Sequence, residues 1–116
     1  MKTQSAKAKG RNLVKWLKNE ILKKFTNLSG DDLRVTSSGA GGEDLTLSPR
    51  ARASLHVQFE CKSRSAFVGY SFYDHATQHG KYIPVVIVKA NHREPLALLS
   101  AEHFLQLLQQ KEKDGN

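Results

Sequence analysis

The 116-residue sequence contains one cysteine, Cys61, which excludes an internal disulfide and a cysteine-rich zinc site. No apolar run approaches the roughly 20 residues that a membrane-spanning helix needs. The first residues include lysines but lack the hydrophobic segment of a secretory signal. A lone cysteine also fits a reducing compartment. We therefore expect a cytoplasmic protein without a membrane partner.

Acidic residues are scarce at the start of the chain. Residues 1–24 contain one acid, Glu20, and eight lysines and arginines, which together account for the whole formal net charge of +7. Beyond residue 24 the acidic and basic residues balance. A basic end on a neutral body favours an anionic partner, most simply nucleic acid. The alternative is a solvated basic surface that keeps the protein soluble.

The residue patterns predict a mixed α/β fold with the element order αβββαββα, in which helices flank one central β-sheet. We expect a flexible basic arm over residues 1–9, one domain over 10–111 and a frayed tail over 112–116. The predicted helices are 11–25, a short turn 49–53 that Ser48 and Pro49 begin, 69–79, and 101–110 with Ser100 as its cap. The predicted strands are 33–37, 44–47, 56–62, 83–89 and 96–99, of which the β-branched run 83–89 is expected to be central and covered on both faces.

The first predicted helix has an acid within its apolar sector. On a helical projection Leu13, Trp16 and Leu17 centre the buried face, and Glu20 falls between Trp16 and Leu13. Because an unpaired buried charge is costly, Glu20 either reaches a functional centre or pairs with Lys24 one turn later. The sequence leaves both interpretations open.

The stretch Gly39–Lys62 carries the chemistry that organises the rest of the chain. Asp44 follows a glycine-rich bend, and Glu60-Cys61-Lys62 ends a run with strand-like alternation, so Glu60 and Lys62 should share one face. Two carboxylates beside a lysine suit the hydrolysis of phosphodiesters, because oxygen ligands bind a divalent cation and a lysine stabilises negative charge. The alternative is that Glu60 and Lys62 form a solvent-facing ion pair without a catalytic function.

This stretch resembles the PD-(D/E)xK nuclease superfamily at Asp44, Glu60 and Lys62, although Glu43 stands where the pattern has proline. The segments GGEDLTLSPRAR, FECKS and PVVIVKANHREPLALLSAEHFLQLL are similar to small phage proteins of the superfamily described as Holliday-junction-resolvase-like endonucleases. The resemblance covers roughly residues 7–110. It implies the restriction-endonuclease-like core and a cytoplasmic site of action, such as a phage-infected bacterial host.

The resemblance also implies roles for single residues. Asp44, Glu60, the backbone carbonyl of Cys61 and Glu20 would hold Mg²⁺ or Mn²⁺, with Asp44, Glu60, Lys62, Gln78 and Glu20 as the catalytic set. Gln78 matches a glutamine that follows the ExK strand in many members, and its alternative is an ordinary surface side chain. Basic residues that we expect to hold phosphates are Lys7, Lys9, Arg11, Arg64, Lys89 and Arg93.

The leading hypothesis is therefore a metal-dependent DNA endonuclease with a preference for branched DNA. A four-way junction needs two incisions, so the resemblance favours a homodimer. Its interface could be supplied by four aromatic residues, some of which are alternatively buried core residues: Phe67, Tyr70, Phe72 and Tyr73. One alternative is a non-catalytic nucleic-acid-binding protein on the same fold. Another is a nuclease that acts on simple ends or nicks.

Overall fold

The computed structural model describes residues 6–36 and 44–114, and in these residues the protein is a mixed α/β structure. The helices are α1 (Ala6–Lys24), α2 (Pro49–Ser54), α3 (Gly69–Thr77) and α4 (Ala101–Asp114), and a 3₁₀ turn spans Gly30–Asp32. The strands are β1 (Leu33–Val35), β2 (Leu45–Leu47), β3 (Val86–Val88) and β4 (Leu96–Leu98). The predicted bend at 38–42 and the end of the predicted first strand lie outside the described residues.

The expectation of one central sheet is wrong for the described residues. They contain two separate antiparallel pairs, β1 with β2 and β3 with β4. The predicted strand 56–62 is not a strand, because a ladder needs repeated backbone hydrogen bonds. One such bond, from the Asp44 N–H to the Phe59 carbonyl at 3.4 Å, joins this segment to the first hairpin.

The chain forms two compact units. The first unit comprises Met1–Arg64 and Leu105–Asn116, and the second comprises Ser65–Phe104. The buried apolar side chains of the described residues all belong to the first unit; they are Val14, Leu17, Ile21, Phe25, Leu28, Leu33, Leu45, Leu47, Ala51, Leu55 and Leu105.

Helix α1 contributes one apolar stripe to the core of the first unit. Val14, Leu17 and Ile21, together with Phe25 directly after the helix, are buried at the three- and four-residue spacing of one helix face. The predicted centre of that face was wrong, because Trp16 is 42% exposed. The helix also begins at Ala6 rather than Arg11, so residues 6–9 of the predicted flexible arm are helical.

The hairpin of β1 and β2 carries Asp44 at the start of its second strand. Leu33 pairs with Leu47 and Val35 with Leu45, and the N–H of Thr36 donates to the Asp44 carbonyl at 3.1 Å. Leu33, Leu45 and Leu47 are buried, so the hairpin has one face in the core. This packing fixes the strand immediately after Asp44.

The short helix α2 follows the hairpin as the sequence predicts. The Ser48 hydroxyl accepts a hydrogen bond from the Ala51 N–H at 3.0 Å, and Pro49 occupies the first turn. The same hydroxyl donates to the Asp32 carboxylate at 2.7 Å. The pKa of Asp32 is lowered, first by the hydrogen bond from the Ser29 N–H and then by that from Ser48.

Residues 105–112 of α4 close the first unit. Leu105 is fully buried, and the Gln109 amide donates to the Lys24 carbonyl at 2.7 Å, which satisfies an end carbonyl of α1. Glu112 accepts a hydrogen bond from the Ser54 hydroxyl at 2.7 Å. At the start of the helix, the Ser100 hydroxyl accepts from the His103 N–H, which confirms Ser100 as the cap.

The second unit contains the β3–β4 hairpin and helix α3. Its predicted strands are confirmed in shorter form, but the expectation that 83–89 is covered on both faces is wrong. Ile87 is 68% exposed, and Val85 and Val88 are also exposed. A β-branched run raises strand propensity without setting how many strands or helices pack on it.

Candidate active site

Asp44 and the segment around Cys61 are held together by two hydrogen bonds. The Asp44 N–H donates to the Phe59 carbonyl, and the Asp44 Oδ2 atom accepts from the Cys61 N–H at 2.5 Å. The Asp44 side chain is half-buried. The structure therefore brings the predicted aspartate to the middle of the Glu60-Cys61-Lys62 triplet, across seventeen residues of sequence.

Glu60 and Lys62 form an ion pair beside this contact. The Lys62 Nζ atom lies 3.2 Å from the Glu60 Oε2 atom, and the two side chains are 64% and 63% exposed. Phe59 and Cys61 are less exposed than Glu60 and Lys62, so the alternation predicted for a strand is present without the strand itself. An exposed pair of this kind adds little to stability.

Both carboxylates of the candidate site affect the pKa of the Cys61 thiol. Its pKa is raised, first by burial and then by the negative charges of Asp44 and Glu60. Both effects disfavour the thiolate: burial removes solvation from the charged form, and the two carboxylates repel its negative charge. Both carboxylates are therefore close enough to Cys61 to act on its thiol.

The segment that leads to Glu60 is anchored to the core. Leu55 is fully buried, and its N–H donates to the Ala51 carbonyl at 2.8 Å at the end of α2. The Arg52 guanidinium donates to the Val57 carbonyl. Residues 55–59 are therefore fixed by α2 even though they form no strand, and Glu60 follows directly from them.

The donor set at this place suits a hard divalent cation. Asp44 and Glu60 offer carboxylate oxygens, and Cys61, which follows Glu60, adds a backbone carbonyl. Mg²⁺ and Mn²⁺ prefer such oxygen ligands. Within residues 6–36 and 44–114, no group of three or more His, Cys, Asp and Glu side chains is gathered for a metal ion. The fit rests on the two carboxylates together with the carbonyl.

Glu20 has the ion-pair partner that one interpretation predicts. Its carboxylate lies 3.0 Å from the Lys23 Nζ atom and 3.7 Å from the Lys24 Nζ atom. The pKa of Glu20 is lowered, chiefly by the hydrogen bond from Lys23 and further by the charge of Lys24. The pairing with Lys24 is thus present, and a role of Glu20 at the metal stays a prediction.

The remaining predicted residues are distributed over both units. Gln78 directly follows α3 in the second unit, and its N–H donates to the His75 carbonyl. Its catalytic role stays a prediction. Lys7 lies in α1, but its side chain is outside the described part. Exposed cations from the predicted set are Lys9, Arg11 and Arg64 in the first unit and Lys89 and Arg93 in the second.

The sequence-based interpretation placed Trp16 in the core, whereas the structure exposes it. At about 100° per residue, Trp16 lies roughly 145° from the centre of the stripe formed by Val14, Leu17, Ile21 and Phe25. A projection centred on that stripe would have placed the indole outside the core. The signal was present in the sequence, but the interpretation let the large apolar residue define the buried face.

Comparisons of the chain with protein-family models, with curated proteins and with solved structures find no match. In the described part of the chain, no helix has the length and apolar character needed to cross a membrane.

Proposed function

We propose that this protein is a metal-dependent endonuclease that hydrolyses phosphodiester bonds in DNA, with Asp44, Glu60 and Lys62 as its active site. The observation that carries the proposal is the contact of the Asp44 carboxylate with the Cys61 N–H, beside the Glu60–Lys62 ion pair. An aspartate next to a Glu-x-Lys triplet is the arrangement that the PD-(D/E)xK resemblance implies. The proposal rests on this local arrangement, since the described residues form two separate hairpins and not one central sheet.

Each of the three side chains has a distinct task in this proposal. Asp44 and Glu60, with the Cys61 carbonyl, would hold the divalent cation, which when bound lowers the pKa of water and neutralises phosphate charge. Lys62 carries a positive charge beside Glu60, so its ammonium orients the attacking water and stabilises the negative charge that develops on the phosphate. The hydrogen bond from Cys61 holds the Asp44 carboxylate in position before substrate arrives.

The charge of α1 supports DNA as the proposed substrate, and we propose that the protein acts in the cytoplasm. That helix carries seven lysines and arginines and a single acid, Glu20, which two lysines neutralise. Phosphate contacts by such a helix would position a duplex without reading its sequence. The same charge also supports the second candidate function, a nucleic-acid-binding protein that does not cut.

One cleavage experiment separates these functions. Labelled linear, flap, Y-shaped and four-way DNA are incubated with Mg²⁺, Mn²⁺, Ca²⁺ or EDTA. We expect cutting in Mg²⁺ and Mn²⁺ and none in Ca²⁺ or EDTA, since Ca²⁺ accepts looser geometry and activates water poorly. Asp44→Asn should abolish cutting, and the matched control Asp31→Asn, at an exposed aspartate, should retain it. Cutting in EDTA, or by Asp44→Asn at the wild-type rate, would contradict the proposal.

A preference for branched DNA and a homodimer complete the proposal. Two symmetric incisions across a junction need two active sites, which a two-fold dimer supplies. Phe67, Tyr70 and Phe72 are exposed, and the rings of Phe67 and Tyr70 meet edge to face at 6.0 Å between centroids, so the second unit offers aromatic surface for an interface. Light scattering and competition gel shifts test both points. A monomer on DNA, or equal affinity for linear and four-way DNA, would remove the resolvase-like specificity and leave the nuclease.

A further inference from the structure

Trp16 is exposed in the middle of a row of polar and basic side chains on α1. Residues seven apart lie almost in line on a helix, so Lys9, Trp16 and Lys23 form one row with about 10 Å along the axis between neighbours. Lys9 and Lys23 are both exposed. Asn12 and Asn19, which are also exposed, flank the indole at the four- and three-residue spacings of adjacent turns.

This position is unusual for the one tryptophan of the chain. The four apolar residues of the α1 stripe are buried, whereas Trp16, the largest apolar residue of the helix, is 42% exposed on the opposite side. An indole offers a flat π-face, and such faces stack on nucleic-acid bases with little regard to sequence. An exposed indole with amines on either side therefore combines base stacking with phosphate contact.

The charge around Trp16 remains positive even though Glu20 lies one turn away. Glu20 binds both Lys23 and Lys24, and the Lys24 side chain is only 14% exposed while that of Lys23 is 71% exposed. Lys23 can therefore turn towards a phosphate while Lys24 continues to neutralise the glutamate. The face matches an anionic polymer rather than a neutral apolar partner.

We infer that Trp16 is a stacking platform for an unpaired base, and that the Lys9–Trp16–Lys23 row of α1 is a binding site for single-stranded nucleic acid. A base in an intact duplex is stacked on both sides and leaves no face for the indole. The site thus selects single strands, flaps or the open centre of a branch. This inference rests on the proposed nucleic-acid function and names the feature of the substrate that the chain would hold.

The single tryptophan makes the test direct, because all indole emission comes from Trp16. The full chain is titrated with a short oligo-thymidine strand in EDTA, where no cutting occurs, while label anisotropy reports binding. Stacking should quench the emission to a saturating level. A blunt duplex of equal length should bind with little quenching.

Substitutions then separate stacking from charge. Trp16→Ala should weaken single-strand binding roughly tenfold and leave the salt dependence unchanged, because the phosphate contacts remain. Trp16→Phe should retain most of the affinity, since a ring remains. The matched control Tyr82→Ala removes another exposed aromatic residue and should have no effect. Lys9→Ala should make the slope of log affinity against log salt shallower by about 0.7.

Three results would overturn the inference. The first is anisotropy that shows binding while the emission and the Trp16→Ala affinity are unchanged. The second is no binding of the single strand at all. The third is a blue shift of Trp16 with vesicles of anionic phospholipid but no quenching by oligo-thymidine, which would assign the row to a lipid surface. Quenching that persists in an inactive Asp44→Asn variant would support the stacking site, and DNA cutting is scored separately in Mg²⁺.

Discussion

The carboxylate of Asp44 accepts a hydrogen bond from the backbone N–H of Cys61 at 2.5 Å, although seventeen residues separate them in sequence. This contact ties the start of β2 to the Glu60-Cys61-Lys62 triplet. It gives Asp44 a structural task in addition to the proposed catalytic one. Substitutions at this residue must therefore distinguish the two tasks.

Asp44→Ala should lower the free energy of unfolding by about 1–2 kcal/mol, because the Cys61 N–H loses a charged acceptor in a half-buried place. Asp44→Asn keeps an acceptor oxygen, so its free energy of unfolding should fall by a smaller amount. Chemical denaturation measures both values. If both variants unfold like the wild type, the contact contributes nothing to stability, and any loss of cutting would be purely catalytic.

Lys62→Ala should bind DNA with nearly unchanged affinity and fail to cut it. The ammonium is proposed to act on water and on developing charge, and one exposed cation contributes only a small part of duplex binding. Gel shifts in Ca²⁺ and cleavage in Mg²⁺ measure the two properties. The control Lys111→Ala removes an exposed lysine elsewhere in the first unit. A Lys62→Ala variant that still cuts DNA would contradict the catalytic role of Lys62.

Glu20→Gln should reduce cleavage at least about tenfold if Glu20 reaches the metal site, a loss of roughly 1.4 kcal/mol of transition-state stabilisation. Glu20→Gln should also change how the stability of the protein depends on pH in the acidic range. The folded-state pKa of Glu20 is lowered, chiefly by the hydrogen bond from Lys23, so its contribution to stability is present above the unfolded pKa and is lost as pH falls through the folded pKa. The difference between the free energies of unfolding at pH 6 and at pH 3 should therefore be smaller in Glu20→Gln than in the wild type. A normal cleavage rate would make the ion pair with Lys23 and Lys24 its only role.

A basic-arm variant tests the DNA contacts of the first residues. Lys2→Gln, Lys7→Gln and Lys9→Gln are combined rather than deleting residues 1–9, because residues 6–9 belong to α1. Each lost phosphate contact should make the salt slope on duplex DNA shallower by about 0.9. Lys81→Gln, at an exposed site of the second unit, is the control. An unchanged slope would mean that these lysines do not meet phosphate.

Gly10→Ala should stabilise the first unit by about 0.5–1 kcal/mol. Gly10 lies within α1, and a Cβ at this position would meet no heavy atom within 4 Å. Alanine loses less backbone entropy than glycine on helix formation, so its helix propensity is higher. Thermal unfolding by circular dichroism should show a higher midpoint. A lower midpoint would indicate that α1 is not formed up to its first turns.

The sequence predicted those features that depend on near neighbours. Ser48 with Pro49 begins α2, and Ser100 caps α4, because a cap is completed within three residues. The strand 56–62 and the coverage of 83–89 were predicted wrongly, because both depend on which distant segments pack against them.

In the candidate site, too, the sequence predicted what depends on near neighbours and not what depends on distant residues. A spacing of two residues was enough to predict that Glu60 and Lys62 share a side, and they form an ion pair. The resemblance implied that Asp44 lies near the Glu60-Cys61-Lys62 triplet, but its hydrogen bond with the Cys61 N–H was not predicted, since no local rule links residues so far apart. The exposure of Trp16 was missed because size, rather than the full apolar stripe, was taken to define the buried face of α1.

The core of the first unit is assembled from two stretches of the chain, and the residues of the second unit lie between these stretches in the sequence. Leu105 fills that core, and Gln109 and Glu112 bond to Lys24 and Ser54. During synthesis, residues 6–64 therefore leave the ribosome well before the helix that completes their packing. Until residues 105–112 emerge, the apolar surface that Leu105 covers is open to chaperones and to other nascent chains. The nuclease that we propose would thus acquire its stable form only after the second unit has been made.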